Sequence, residues 1–480
     1  MTLFKSTAIA GVLGAGLLSP PLLANPSDAT LLQLIQQQSA QIEALQQRLN
    51  ALETAPNAAS DGADVEALYD QIEALQLQVS QMSLGTASAG TGSGGGSINW
   101  RRGGPEFRSA DGFYRLHLRG RVAFDLSTTS GSNYDDRNIT GTEMRAVRLG
   151  AQGNIGVMRY KVDADFADQQ VSVKDAWIGY GWRGLGMPME VFLGNRLKDR
   201  SIDGAGTLSR NPFMERNAVA QVGAAVNGYY GLGVNYKVYG RTWHIGAGVA
   251  GDQIDNTGNE SDSVTYSVRG HWNPIKTGIG FVHLGTWYYY ESLADDVASI
   301  NNVPRIGQNF NDNLRVSSSS IANPERNEGY GFEIGGVYRS LWSFAEYTER
   351  RIAAPSVDFP DLTDRIDRDA WSVSAGWLIT GEKPGFSTRS GLWGTTRVLR
   401  PVTEGGIGAF EVAVRADRYD FTDAPNGGDG RRTTLGVNWY LNNHARLMLN
   451  YVDWETNNRV GSFQGPDTGR SIGMRAQVLF

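Results

Sequence analysis

No cysteine occurs in the 480 residues of this chain. Disulfides and thiolate metal sites are thereby excluded, and the absence suits an envelope protein that must stay unlinked during export. Beyond the N-terminus no stretch approaches the roughly 18 apolar residues that a membrane-spanning helix needs. A soluble protein would meet that condition equally well, so it decides nothing alone. Histidines are few: His117, His244, His271, His283 and His444 fall on separate predicted strands or turns without metal-ligand spacing, and read as wall or lumen residues. The glycines of 84–97 are not followed by Lys-Ser or Lys-Thr, which removes a phosphate-cradling loop. Asp361, Asp364, Asp367 and Asp369 lack EF-hand spacing and read as a solvated acidic loop. No hydrolase signature and no cofactor site is evident. The formal charge of −6 argues against nucleic acid as a partner.

What is abundant is glycine, at 60 residues, with aromatic residues making up 10% of the chain. That balance favours many short strands joined by tight turns. The last residues show the pattern most clearly. Ile472, Met474, Ala476, Val478 and Phe480 alternate with Ser471, Gly473, Arg475, Gln477 and Leu479. One apolar and one polar face, ending on an aromatic residue, suit a sheet with lipid outside and water inside. Phe480 is accordingly the candidate membrane-assembly signal.

Four regions follow. Residues 1–24 read as a secretory signal: Lys5 in the charged segment, an apolar core from Thr7 to Leu18, and a small residue at Ala24. Residues 25–83 read as a periplasmic coiled-coil segment. Leu31, Ile35, Gln38, Ile42, Leu45, Leu49 and Leu52 step by four and three, as do Val65, Leu68, Ile72, Leu75, Val79 and Met82. The two helices would extend roughly 60 Å in total, and their seam needs partners. Residues 84–112 read as a Gly/Ser-rich linker. Residues 113–480 read as an all-β transmembrane barrel of about sixteen antiparallel strands. Its strands run over 113–126, 143–154, 157–167, 171–181, 188–196, 230–239, 242–250, 262–272, 279–291, 329–339, 342–350, 369–379, 407–418, 431–441, 445–455 and 470–480. Their connections alternate broadly between short and long, except near Asp168 and over 381–406. An even count returns both barrel ends to the periplasmic rim.

Strand parity assigns each side chain to lipid or lumen. In the first strand Leu118, Val122, Phe124 and Leu126 face out and Arg115, His117, Arg119, Arg121 and Asp125 face in. In the third, Arg159, Lys161, Asp163 and Asp165 face in. The same test places Arg148, Arg269, Arg415 and Arg475 inside with Glu190, Glu333, Glu411 and Asp417, nine basic against seven acidic groups. An Arg or Lys on the lipid face near the midplane costs about 2–4 kcal/mol, which constrains these assignments. Opposed charges could equally be ion pairs that stiffen the wall. The long connection after the fifth strand carries Arg196, Lys198, Arg200, Arg210 and Arg216 against Asp199, Asp203 and Glu215. Folded inward, it would make a net positive constriction, and such rings select anions.

Ala146-Val147-Arg148-Leu149-Gly150, Tyr160 to Phe166, and Val173-Lys174-Asp175-Ala176-Trp177-Ile178-Gly179-Tyr180 together resemble the phosphate-selective porin O/P family. Glu215-Arg216-Asn217, Leu435-Gly436-Val437-Asn438-Trp439-Tyr440 and the terminal strand extend the resemblance over the barrel. It implies a sixteen-stranded, commonly trimeric outer-membrane channel, with inward-loop arginines leading to a basic constriction. Part of that ladder is present: Arg145 stands beside Met144 where paired arginines are implied, Arg210 falls near a constriction position, and Arg305 and Arg315 replace a denser run.

The expectation is a passive outer-membrane diffusion channel for small hydrophilic solutes, anion-preferring, with phosphate-like anions among the candidates. The coiled coil would lie in the periplasm near peptidoglycan, and the chain would form a homotrimer in outer-membrane lipid. The competing reading is a structural tether between outer membrane and cell wall. If the helical seam drives association, residues 25–88 should sediment as an oligomer; a monomer at high concentration would contradict self-association by the seam alone.

Overall fold

The computed structural model describes residues 96–480, apart from 101–102, 168, 227, 252–253, 255–260, 302 and 357–362, together with helical Gln37, Ala40, Gln41, Ala44 and Leu45. The signal segment, nearly all of the coiled-coil segment and the first part of the linker lie outside the described residues.

Sixteen long strands form the barrel: β1 (Tyr114–Ser130), β2 (Thr140–Ile155), β3 (Met158–Asp165), β4 (Ser172–Gly184), β5 (Met187–Leu197), β6 (Tyr230–Tyr239), β7 (Trp243–Ala250) and β8 (Val264–Trp272), then β9 (Gly280–Ser292), β10 (Arg326–Tyr338), β11 (Leu341–Pro355), β12 (Thr363–Leu378), β13 (Ala409–Asp420), β14 (Asp429–Tyr440), β15 (Ala445–Asn458) and β16 (Gly465–Leu479). Each pairs antiparallel with its neighbours in sequence. Closure comes from β16 lying beside β1, from Arg470 opposite Ser130 to Leu479 opposite Arg121. All sixteen expected strands are present, several of them longer at the end away from the short turns. The stretch expected as linker ends in structure. Ser97–Asn99 pairs with Glu106–Arg108, which pairs with the start of β1.

Period-2 alternation sets the two faces. Along β1, Leu118, Val122, Phe124 and Leu126 are exposed, while His117, Arg121, Asp125 and Ser127 are buried. Exposed Val162, Ile178, Leu193, Val234, Ile334, Val414, Leu435 and Leu449 continue the apolar face around the circumference. A contiguous apolar belt of this extent has no place on a monomer in water. Tyr114, Tyr180, Trp272, Tyr338 and Trp377 edge it near the short turns, and Tyr266, Tyr288 and Trp371 lie towards the other end, as interfacial aromatics do.

One irregularity re-aims a charged side chain. Ala123 pairs with Ala146 and Phe124 with Met144, so Arg145 is the extra residue of a β-bulge in β2. Strict parity would separate Arg145 from Arg148. The bulge lets both reach the lumen.

The chain end is tied across the seam. Phe480 N donates to Gly120 O at 3.0 Å and Gly120 N to Phe480 O at 2.6 Å. A Cβ on Gly120 would lie 2.4 Å from the Phe480 ring, so the ring occupies the space that glycine leaves. Phe480→Ala should lower the fraction of barrel that resists unfolding by detergent and heat, read as the gel mobility shift. An unchanged fraction would remove this role.

Candidate functional site

The connection Lys198 to Tyr229, between β5 and β6, turns into the lumen. It contains two short helices, α1 (Ile202–Ala205) and α2 (Ala218–Val222). Ser201 Oγ accepts from Gly204 N, and Asn217 Oδ1 accepts from Ala220 N, both at 2.8 Å, so each helix start is capped. Wall arginines then hold the segment by its carbonyls. Arg446 donates to Asn211 O at 2.9 Å and Ser209 O at 3.1 Å, Arg475 to Met214 O at 2.7 Å, Arg415 to Glu215 O at 2.9 Å and Arg432 to Arg216 O at 2.7 Å. Wall carboxylates take amides: Glu346 accepts from Ile202 N at 2.8 Å and Asp417 from Ala218 N at 3.0 Å. The segment is thus pinned against β11 and β13–β16, on the far side of the barrel from where it enters.

A second connection, Leu293 to Glu325, also folds inward. Its Ile306, Leu314 and Val316 are fully buried against Tyr419, Val452 and Trp454 of the wall and Ala218 and Val222 of α2. A third comes from the opposite rim: 379–408, between β12 and β13, contains the long exception of 381–406 among the short turns. Its Phe386 stacks on Phe344 at 4.7 Å, and its Trp393 meets Trp342 at 5.0 Å. Ile202 and Phe213 of the first segment join the same cluster. A lumen read as polar throughout therefore carries an aromatic wall along β9–β11, where Phe281, Trp287, Tyr289, Trp342 and Phe344 all point inward and are buried.

The third segment is latched by wall residues on β8 and β9. Arg269 bonds Glu333 twice at 2.8 Å and also donates to Gly391 O at 2.8 Å. His271 Nε2 donates to Thr388 O at 2.7 Å, and His283 Nε2 to Glu333 at 2.9 Å. His244 Nδ1 contacts His271 Nδ1. Three histidines separated in sequence thus converge on adjacent strands: His244 lies opposite His271 in register, and the His271 ring stacks on His283 at 5.1 Å. Gly391 has φ +64°, and a Cβ there would fall 2.8 Å from His271. Only glycine fits.

With β9–β16 largely covered, the solvated passage runs along β1–β5. Exposure shows which charges face it. Arg159 retains 40% side-chain exposure and its partner Glu190, at 3.1 Å, 14%. Arg119 retains 33% against 8% for Asp163, and Arg148 20% against 10% for Asp165. Arg115 over Glu106, Arg145 over Glu215 and Lys161 over Asp175 repeat the order. In each pair the cation faces water and the carboxylate lies behind it.

The expected site residues divide accordingly. Arg148, Arg145, Arg115, Arg119, Arg159 and Lys161 lie on the passage side, whereas Arg121 is on the same wall but buried. Arg269, Arg415 and Arg475 face inward as parity required, but are spent on Glu333, Asp417 and Asp125 and on carbonyls of the inward segments. Arg305 and Arg315 converge on Asp312, at 2.5 Å for Arg305. Arg196 packs over Phe192 at 3.9 Å. Arg200 is a correction: it is buried, donates to Gly223 O and Gly228 O at 3.0 Å each, and braces its own loop instead of lining the constriction. Arg210 sits on the inward loop, where burial, then the guanidiniums of Arg119 and Arg446, lower its pKa below the usual arginine value. Arg432 and Arg446 were not anticipated, although parity along β14 and β15 pointed them inward.

An apolar outer belt, a closed sheet and a charged interior narrowed by inward segments define an outer-membrane channel. The chain belongs to the family described as phosphate-selective porin O and P, whose model matches residues 116–480. An uncharacterized protein of Caulobacter vibrioides is 26% identical over 476 residues, covering 93% of this chain and 90% of that one. Porin O of Pseudomonas aeruginosa is 22% identical over 447 residues, covering 85% and 97%. Among solved structures, outer-membrane expressed OmpT of Vibrio cholerae superposes with a TM-score of 0.48 at 12% identity, covering 77% of this chain and 98% of that one.

If the segment 379–408 occludes part of the lumen, Gly391→Ala should loosen its latch and raise single-channel conductance. Unchanged conductance in a correctly folded variant would show that the segment does not limit flow.

Proposed function

We propose that this porin is an anion-preferring passive diffusion channel for small hydrophilic solutes. The observation that carries the reading is the order of exposure along β1–β5, where cations stand in front of their carboxylates in every pair that borders the passage. A permeating ion meets the nearer charge first, and in a narrow low-dielectric passage that charge is poorly screened. The bulge that brings Arg145 beside Arg148 adds a cation where the inward loop approaches the wall, since Arg145 lies 3.6 Å from Glu215 of that loop. Phosphate enters as one anion among others: Arg305 and Arg315 share Asp312, so half of the positive charge of that pair is neutralised.

The N-terminal helices are proposed to lie in the periplasm, because the strand hairpin of 97–108 joins the barrel at the rim of short turns. Assembly as a homotrimer, with the helices near peptidoglycan, completes the proposal.

Arg119, Arg159 and Arg210 offer the test. Asp163 keeps Lys161 at 3.2 Å and Glu190 keeps Arg389 at 3.6 Å when the arginines are replaced, which limits the folding cost. The triple Gln variant should shift the zero-current potential in a salt gradient toward cation preference. Wild-type protein that already prefers cations would overturn the proposal.

A further inference from the structure

Between the first and second inward segments lies a pocket of about 560 Å³. Ala224, Ala225, Val226 and Ile300 give it an apolar side, and its lining reaches Arg350 on β11. Arg350 is 0% exposed. Its Nε donates to Asn327 Oδ1 at 2.8 Å, and Asn327 in turn donates to Glu291 at 2.6 Å, so an amide stands between the guanidinium and that carboxylate. Among the described residues, Nη1 and Nη2 of Arg350 have no hydrogen-bond partner. The other arginines of the pocket differ: Arg145 is on Glu215, Arg305 and Arg315 are on Asp312, and Arg216 is on the carbonyls of Asp203 and Gly206.

Register supplies a second donor. Tyr289 on β9 lies opposite Gly329 on β10, which lies opposite Arg350. Gly329 has no side chain, and the Tyr289 ring crosses the space: a Cβ there would fall 2.5 Å from the ring and 3.1 Å from its hydroxyl. Tyr289 is also fully buried, and its hydroxyl has no acceptor among the described residues. Arg200 lies over the ring face at 5.0 Å. Two buried donors without acceptors among the described residues thus share one row, and Arg350 of that row borders the half-apolar cavity.

A guanidinium edge with two free N–H groups matches a carboxylate, which it binds bidentately. The apolar side offers no donors for the remaining oxygens of a tetrahedral oxyanion, but suits a short alkyl chain. We propose that this pocket is a subsite for short aliphatic monocarboxylates, with Arg350 and Tyr289 binding the carboxylate and Ala224 to Val226 with Ile300 taking the chain. The proposal deepens the anion reading and rests on it.

Block of chloride current through the full-length protein in planar bilayers tests it, with acetate, butyrate and phosphate added on the side of the long loops. Half-blocking concentration should fall at least threefold from acetate to butyrate, with phosphate the weakest blocker. Arg350→Gln should raise the butyrate value at least tenfold. Should that variant fail to form the barrel, Tyr289→Phe is expected to raise it severalfold and Val226→Thr to flatten the dependence on chain length. Equal block by acetate and butyrate, stronger block by phosphate, or no response to these substitutions in an anion-selective channel would overturn the subsite alone. A cation-selective wild type would overturn the anion reading as well.

Discussion

The arrangement depends on one interaction type: buried wall guanidiniums donating to backbone carbonyls of a loop that has left the surface. Arg415, Arg432, Arg446 and Arg475 hold the segment from Ser209 to Arg216 in this way. A buried loop otherwise leaves its carbonyls without partners, at a cost of about 1–3 kcal/mol for each. Buried arginines without acceptors would cost more still. The guanidiniums and carbonyls serve one another, and behind them Asp125 pairs with Arg475 and Asp417 with Arg415 and Arg432. Removing one member of such a set leaves a charge uncompensated, which typically costs about 3–5 kcal/mol. The loop is therefore fixed in the lumen as firmly as the wall is.

From this follows the asymmetry of the interior. Pinning the first segment against β11 and β13–β16 lets the second segment bury Ile306, Leu314 and Val316 on it, and lets Phe386 and Trp393 close the other end. Three connections from two rims meet on one side, and water is left the other. There the ion pairs of β1–β5 lie edge-on to the passage. Arginine and lysine, longer than their carboxylate partners, reach further into it. On the proposed reading, selectivity rests on which member of each pair extends further, more than on a surplus of one charge.

How much of this was legible in the sequence follows from the period of each feature. Strand parity repeats every two residues, so Phe124 outside and Asp125 inside needed no tertiary information. The destination of a connection has no period. Lys198 to Tyr229 and 379–408 were marked by their length, since the apolar residues of the first, such as Ile202, Phe213 and Val219, follow no strand period. Arg200 read as a constriction residue because its charge was visible and its acceptors, Gly223 and Gly228, were not. Convergence of His244, His271 and His283 required the register between strands, as did the row of Tyr289, Gly329 and Arg350. Arg350 and Arg368 stood at the edges of two expected strands, where parity was not applied.

In the proposed channel anions pass along β1–β5, while the inward segments cover β9–β16. The chain has no cysteine of its own, so single introduced thiols report on access without background. Gln152 on β2 accepts from Arg119 at 2.7 Å and borders the passage, whereas Thr348 on β11 is fully buried. Rates of modification by anionic and cationic methanethiosulfonates at Gln152→Cys and Thr348→Cys provide the measurement. An anion passage along β1–β5 gives faster reaction of the anionic reagent at position 152 and no reaction at 348; a faster cationic reagent at 152, or ready labelling at 348, would overturn it.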